Sequence, residues 1–250
     1  MKIVIVNPNT TAAMTAGIGR AARAVAAAGT EIVAVNPEDG PASIEGYYDE
    51  VFSVPGLLAE IAAHPGADGY VVACFDDPGL DAARSLTARP VIGIGEAGYH
   101  VAAMISGRFG VITTLARSIG ALEHNLLKYG LDRRCCGVRA VDLPVLALHD
   151  DPELTRSRLG AAIEAAKAED RAEAIVLGCA GMAELAADLT ARHGLPVIDG
   201  VAAAVKLMEA LVGLGVTTSR IGGYAAPLPK LYAGAFGRFA PQEAPKEDTR

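Results

Sequence analysis

Tryptophan is absent from this chain of 250 residues, and aromatic residues make up only 5% of it. The core must therefore be filled by alanine, valine, leucine and glycine, the texture of an α/β protein with tight helix–sheet packing. Basic residues are outnumbered: 22 Lys and Arg face 29 Asp and Glu, for a net charge of −7. That balance argues against nucleic acid and against an anionic membrane surface as partners. No uncharged apolar run reaches the ~20 residues that span a bilayer. The opening Met1-Lys-Ile-Val-Ile-Val-Asn-Pro8 reads as a strand and a turn, not as a secretory leader. A cytoplasmic chain is expected. The only four cysteines are then free thiols, and the adjacent Cys135 and Cys136 lack zinc-ligand spacing. The five histidines are scattered and point to no metal, and there is no Gly-x-Ser-x-Gly elbow or P-loop.

What is present is a regular alternation of short apolar runs with helical periods, the pattern of βαβ units and a mainly parallel sheet. Strands are expected near 2–7, 31–35, 69–74, 90–94, 109–113, 137–142, 174–179 and 196–198. Helices are expected near 11–28, 54–64, 79–87, 97–106, 115–130, 152–169, 182–193 and 200–214. In the last of these Val201, Val205, Met208 and Val212 recur on one face. The order restarts near Gly107. Two pseudo-symmetric Rossmann-like halves are expected, residues 1–106 and 107–216, with a cleft between them. The proline- and glycine-bearing tail, 217–250, reads as a return over the surface that frays over its last ten or so residues.

The repeat carries two thiols. Gly69-Tyr-Val-Val-Ala-Cys74 and Ala174-Ile-Val-Leu-Gly-Cys179 are apolar runs ending in cysteine. Each is followed by a helical segment and then by a proline-led run, Pro90-Val-Ile-Gly93 and Pro196-Val-Ile-Asp199. Open α/β sheets bind ligands beyond the carboxyl ends of their strands. Cys74 and Cys179 both lie there, placed to face each other across the cleft. One thiolate would then take a proton from one face of a carbon while the other thiol returns one to the opposite face. Asp77 reads as an N-cap with Pro78 as first helical residue, and Glu184 suits the first turn of the helix after Cys179. Helix N-termini so placed would lower the thiol pKa values. Gly178 and Gly181 leave backbone N–H groups open to a developing oxyanion.

Together with these cysteines, Asn7-Pro-Asn-Thr-Thr11, Ala73-Cys-Phe-Asp-Asp-Pro-Gly-Leu80, Gly110-Val-Ile-Thr-Thr114, Leu177-Gly-Cys-Ala-Gly-Met182 and Val197-Ile-Asp-Gly-Val-Ala-Ala-Ala-Val-Lys206 carry a resemblance. From about residue 2 to about residue 233 the chain resembles the hydantoin racemases and the similar allantoin racemases, of the aspartate/glutamate racemase superfamily. The resemblance implies a two-base racemase that needs no cofactor and no metal, acts on a small molecule and assembles as a homo-oligomer. Cys74 and Cys179 match its catalytic pair. Asn9, Phe75, Thr113, Thr114, Gly178 and Ala180 match positions that line the substrate ring, with Thr113 or Thr114 hydroxyls as oxyanion donors. Amino-acid racemases of the superfamily follow the first cysteine with Asn-Thr, whereas this chain has Phe75-Asp76. That departure favours a neutral 5-monosubstituted hydantoin, allantoin among them. An amino-acid racemase, a single-cysteine decarboxylase and a thiol redox or ligand-binding protein are the alternatives.

Two further signals are set aside. Gly93-Ile-Gly-Glu-Ala-Gly98 matches a dinucleotide fingerprint, but no acidic residue ends the next strand, so turn and packing explain the glycines. Glu45, Asp49 and Glu50, around Tyr47 and Tyr48, read as a loop over the cleft rather than an acid/base cluster. Ser43, Ile44 or Tyr48 in that loop is placed to touch a substituent.

Overall fold

The computed structural model describes residues 1–241. The fraying expected at the extreme C-terminus lies outside the described residues. Two four-stranded sheets, parallel throughout, share one topology. The first has the order β2-β1-β3-β4, with β1 Lys2–Val6, β2 Glu31–Val35, β3 Gly69–Val72 and β4 Val91–Gly93. The second repeats it as β6-β5-β7-β8, with β5 Phe109–Thr113, β6 Cys135–Ala140, β7 Ala174–Gly178 and β8 Val197–Asp199. Strands covered on both faces must be apolar along their whole length. Accordingly β3, β5 and β7 are buried at every residue, and β1 at all but its first.

The helices are α1 Ala12–Val25, α2 Tyr47–Ala63, α3 Leu80–Leu86, α4 Ile94–Ile105, α5 Ile119–Lys128, α6 Pro152–Glu169, α7 Ala186–His193 and α8 Gly200–Gly213. α4 packs on α8 and also reaches β7 and β8, while α8 reaches back to β3, β4 and α1. One apolar cluster consequently runs through both halves, from Ile3, Ile5 and Val71 to Phe109, Val111, Ala174 and Val176, with Val201, Val205 and Met208 of α8 between them. After α8 the chain returns to the first half. Thr218 N–H donates to the Ala88 carbonyl (2.9 Å), and the Arg220 guanidinium donates to the carbonyls of Arg84, Ser85 and Thr87 at the end of α3.

Three local expectations are corrected. Helix α2 begins at Tyr47, seven residues before the expected start, and carries Pro55 in its interior. A proline nine positions into a helix costs one backbone bond and is tolerated where packing holds the turn. Strand β6 begins at Cys135, two residues earlier than expected, so the cysteine pair is strand and not loop. Asp77 does not cap α3, whose N-cap is Gly79 in the left-handed region. Its carboxyl instead accepts from the N–H groups of Gly95 (3.0 Å) and Glu96 (2.7 Å) at the start of α4.

That last arrangement explains the glycine fingerprint. In the second half β8 ends in Asp199, whose side chain caps α8 directly by accepting from Val201 N–H and Ala202 N–H, both at 2.9 Å. In the first half the matching strand ends in Gly93. A Cβ there would overlap the Asp77 carboxyl, and one at Gly95 would overlap the Phe75 carbonyl. The missing side chains make room for an aspartate delivered from the neighbouring loop.

Candidate active site

Both cysteines lie just past the carboxyl ends of central strands, Cys74 two residues beyond β3 and Cys179 one beyond β7. They are free thiols, and they line one cavity of about 30 Å³ between the halves. Asn9, Ile44, Phe75, Thr113, Thr114, Gly178 and Ala180 line it with them, so the nine residues singled out in the sequence come together. The cavity is far smaller than the ~300–1,000 Å³ of ordinary ligand pockets. It leaves no room for a large ligand unless its walls move. Met14, Ala73, Asp76, Ser118 and Val145 also line it. Sequence reasoning missed Met14, Ser118 and Val145 as wall residues. Met14 sits one turn into α1 after the Asn9 loop, and Ser118 lies four residues past Thr114. Both are reachable by counting from the motifs, whereas Val145 carries no such signal.

The polar wall is specific. Asn9 is buried, and its Oδ1 accepts from Asn7 Nδ2 and from the Thr11 N–H, both at 2.9 Å. Among the described residues its Nδ2 donates only to the Met14 sulfur, at 3.6 Å. A weak bond to sulfur is readily exchanged for a ring carbonyl. Thr113 Oγ1 donates to the Gly178 carbonyl at 3.2 Å, so that hydroxyl proton is committed to the scaffold. Thr114 is buried beside it. Phe75 packs edge-on against Tyr99 (5.2 Å between centroids, 84° between planes) and forms an apolar floor.

Burial raises both thiol pKa values, and this corrects the lowering expected from helix termini. For Cys74 desolvation leads, followed by the charges of Asp76, Cys179 and Asp77, against which only the Asp76 N–H pulls down. Cys179 is pushed up to about 12, with desolvation again first, opposed by the Gly181 N–H. The cause lies in local structure. The helix after Cys74 begins six residues on, at Leu80, and Cys179 precedes a 3₁₀ segment, Ala180–Leu185. Neither sulfur sits on the aligned N–H groups of an α-helix, which are what lower a thiol pKa. Glu184 lies in that 3₁₀ segment and pairs with Arg20 (3.1 Å) instead of opening α7.

The segment leading into α2 straps the cavity to both halves. Glu45 Oε1 accepts from the Val145 N–H at 3.0 Å, and Tyr47 Oη lies 3.0 Å from His124 Nδ1. Ile44 is the member that enters the cavity. Tyr48, at 76% exposed, packs at a tilt against Phe52 outside it, and Ser43 is not among the wall residues.

Two parallel sheets of one topology, joined through a common core and opening at their carboxyl ends onto a cavity lined by both thiols, define an α/β protein of two like halves with a site between its sheets. The chain belongs to the family described as Asp/Glu/Hydantoin racemase, whose model matches residues 3–208. It is 55% identical to a hydantoin racemase of Rhizobium meliloti over 94% of this chain and 98% of that one. Among solved structures, the allantoin racemase from Klebsiella pneumoniae superposes with a TM-score of 0.94 at 49% identity, over 97% of this chain and 100% of that chain. The allantoin racemase from Pseudomonas fluorescens gives 0.92 at 40% identity, over 94% and 100%.

Proposed function

We propose that this protein racemises 5-monosubstituted hydantoins, allantoin among them, by proton transfer at C5 between Cys74 and Cys179, without a cofactor. The observation that carries the reading is the pair of free thiols lining one small cavity. The C5 hydrogen lies between a ring carbonyl and a ring nitrogen. A thiolate on one face forms an S–H bond as the C5–H bond breaks, and the electron pair moves onto the carbonyl oxygen. The thiol on the other face then gives its proton to C5, and the pair returns from oxygen to carbon. The product is the opposite enantiomer, with thiol and thiolate exchanged.

Acid–base transfer of this kind contributes about 10²–10⁴-fold. Positioning and stabilisation of the enolate oxygen supply the rest. Asn9 Nδ2 and the Thr114 hydroxyl are the donors that fit that task. Phe75 provides a flat apolar floor for a neutral ring. A groove of about 510 Å³ shares Met14, Val145 and Ala180 with the cavity and offers room for the 5-substituent. The protein works as a homo-oligomer, a reading supported by exposed Ile221, Leu228 and Leu231 on the C-terminal arm. Its four free thiols fit the reducing cytoplasm. Among the described residues no helix is long and apolar enough to cross a membrane.

The test is circular dichroism on one pure enantiomer of a 5-monosubstituted hydantoin. The signal should decay to zero with no change in mass, and one deuteron should enter from heavy water. Cys74→Ser and Cys179→Ser should each abolish racemisation, and each should leave deuterium exchange on a single enantiomer. Full racemisation by either variant would refute the two-base assignment.

A further inference from the structure

The residue after Phe75 adds a carboxyl to the cavity wall. Asp76 is 8% exposed and lines the cavity between the two cysteines. Its Oδ2 has no donor among the described residues, and neither does Oε1 of Glu50, one turn into α2. The two carboxyls face each other, each with one buried oxygen left without a partner among the described residues. Two carboxylates offer only acceptors, so one proton held between them would satisfy both. We propose, resting on the racemase reading above, that the Asp76–Glu50 pair keeps one proton at the cavity wall and presents it through Asp76 to the ring carbonyl oxygen beside C5, where charge collects as the C5 proton leaves.

The surroundings favour a neutral acid. Burial comes first in pushing the Asp76 carboxyl up to about 8, followed by the charges of Glu50 and Asp77. The titratable groups that face it are Glu50 from α2, Asp77 from its own loop, Cys74 after β3, Cys179 after β7 and Tyr99 from α4. None of these is cationic. An ionised Asp76 would oppose a thiolate at either cysteine and an enolate in the cavity. A protonated one opposes neither and supplies a donor. A carboxylic acid held neutral by an apolar site is an effective donor to a developing enolate. The Thr113 hydroxyl is committed to the Gly178 carbonyl, so Asp76 joins Asn9 Nδ2 and the Thr114 hydroxyl, not Thr113, at that oxygen.

The experiment compares kcat at pH 7 on one hydantoin enantiomer for the wild type, Asp76→Asn, Asp76→Ala, Glu50→Gln and the double variant Asp76→Asn/Glu50→Gln. Asp76→Asn keeps a neutral donor and should stay within about tenfold of wild type, whereas Asp76→Ala should lose about 10²–10³-fold. Glu50→Gln places an amide donor against Asp76, favours its charged form and should be impaired. The double variant should return to the level of Asp76→Asn, a rescue that a merely structural role would not produce. Wild-type kcat in Asp76→Ala, equal loss in Asp76→Asn and Asp76→Ala, or no rescue in the double variant would overturn the proposal.

A second readout uses 5,5-dimethylhydantoin, which has no C5 hydrogen and cannot react. The infrared carbonyl band of a protonated acid should be present in the wild type, absent in Asp76→Asn, and shifted when this ring binds. A band indifferent to the bound ring would refute the donor role. A wild type inactive on every hydantoin would instead sink the racemase reading, and the ring-sensitive band would still decide the role of Asp76.

Discussion

Cys74 and Cys179 were legible in the sequence because each closes an apolar run at a matching place, but their acidity was not. It depends on which N–H groups reach each sulfur and on what lies within a few ångströms. Here those are one N–H each, burial and, once it ionises, the charge of Asp76. Asp76 itself was read as a negative charge that repels anions, since nothing in the local sequence reveals that Glu50, 26 residues away, folds against it. The raised thiols set the pH response. Thiolate is the scarce form near neutrality, so kcat/KM should climb as pH rises from about 6. It should level off once Asp76 loses its proton near 8, because each further gain in thiolate is then cancelled by loss of the acid. Stopped-time polarimetry across pH checks this, and in Asp76→Asn the rise should continue past pH 8 where the wild type levels off.

The strands and most helices were readable because the apolar runs are continuous and the periods clean. Two elements were not. The first half of α2 looked like loop because Pro55 is a strong start signal and Tyr47-Tyr-Asp-Glu50 has no apolar period. What holds that turn is tertiary: the Tyr47–His124 contact and the Glu50–Asp76 pair tie it to both halves. The start of α4 was readable only as a glycine motif, since its cap arrives from Asp77, 18 residues before Gly95. Buried Asp77 also accepts from Tyr129 Oη at 2.8 Å, so one carboxyl joins a loop, α4 and the residue just past α5. Gly93→Ala should therefore expel that carboxyl from its place. A loss of ~1–3 kcal/mol in urea unfolding is expected from the overpacking. The corresponding strand end in the second half, Asp199, already carries a side chain and needs no such space.

Across the whole molecule the repeat is topological, while the core is common property. Because α8 and α4 bind both sheets into one apolar cluster, the halves should not melt separately. Calorimetry and far-ultraviolet dichroism should trace one coincident transition, and two resolved transitions would show that the halves are independent. Stability also carries a proton. The folded Asp76 holds its proton up to about pH 8, whereas the unfolded chain releases it near 3.8. Its contribution is full at low pH and is lost as pH rises through 8. Asp76→Asn, which cannot lose that proton, should thus gain on the wild type in urea midpoint between pH 5 and 9.

The acid pair stands beside one sulfur's loop and has no counterpart beside the other, so the two walls of the site are chemically unequal. Mirror-image substrates nevertheless have the same free energy, and thermodynamics requires kcat/KM to be equal in the two directions. The handedness of the protein must then appear only in how that ratio divides. One enantiomer is held more tightly and turned over more slowly, and the other is held loosely and turned over fast.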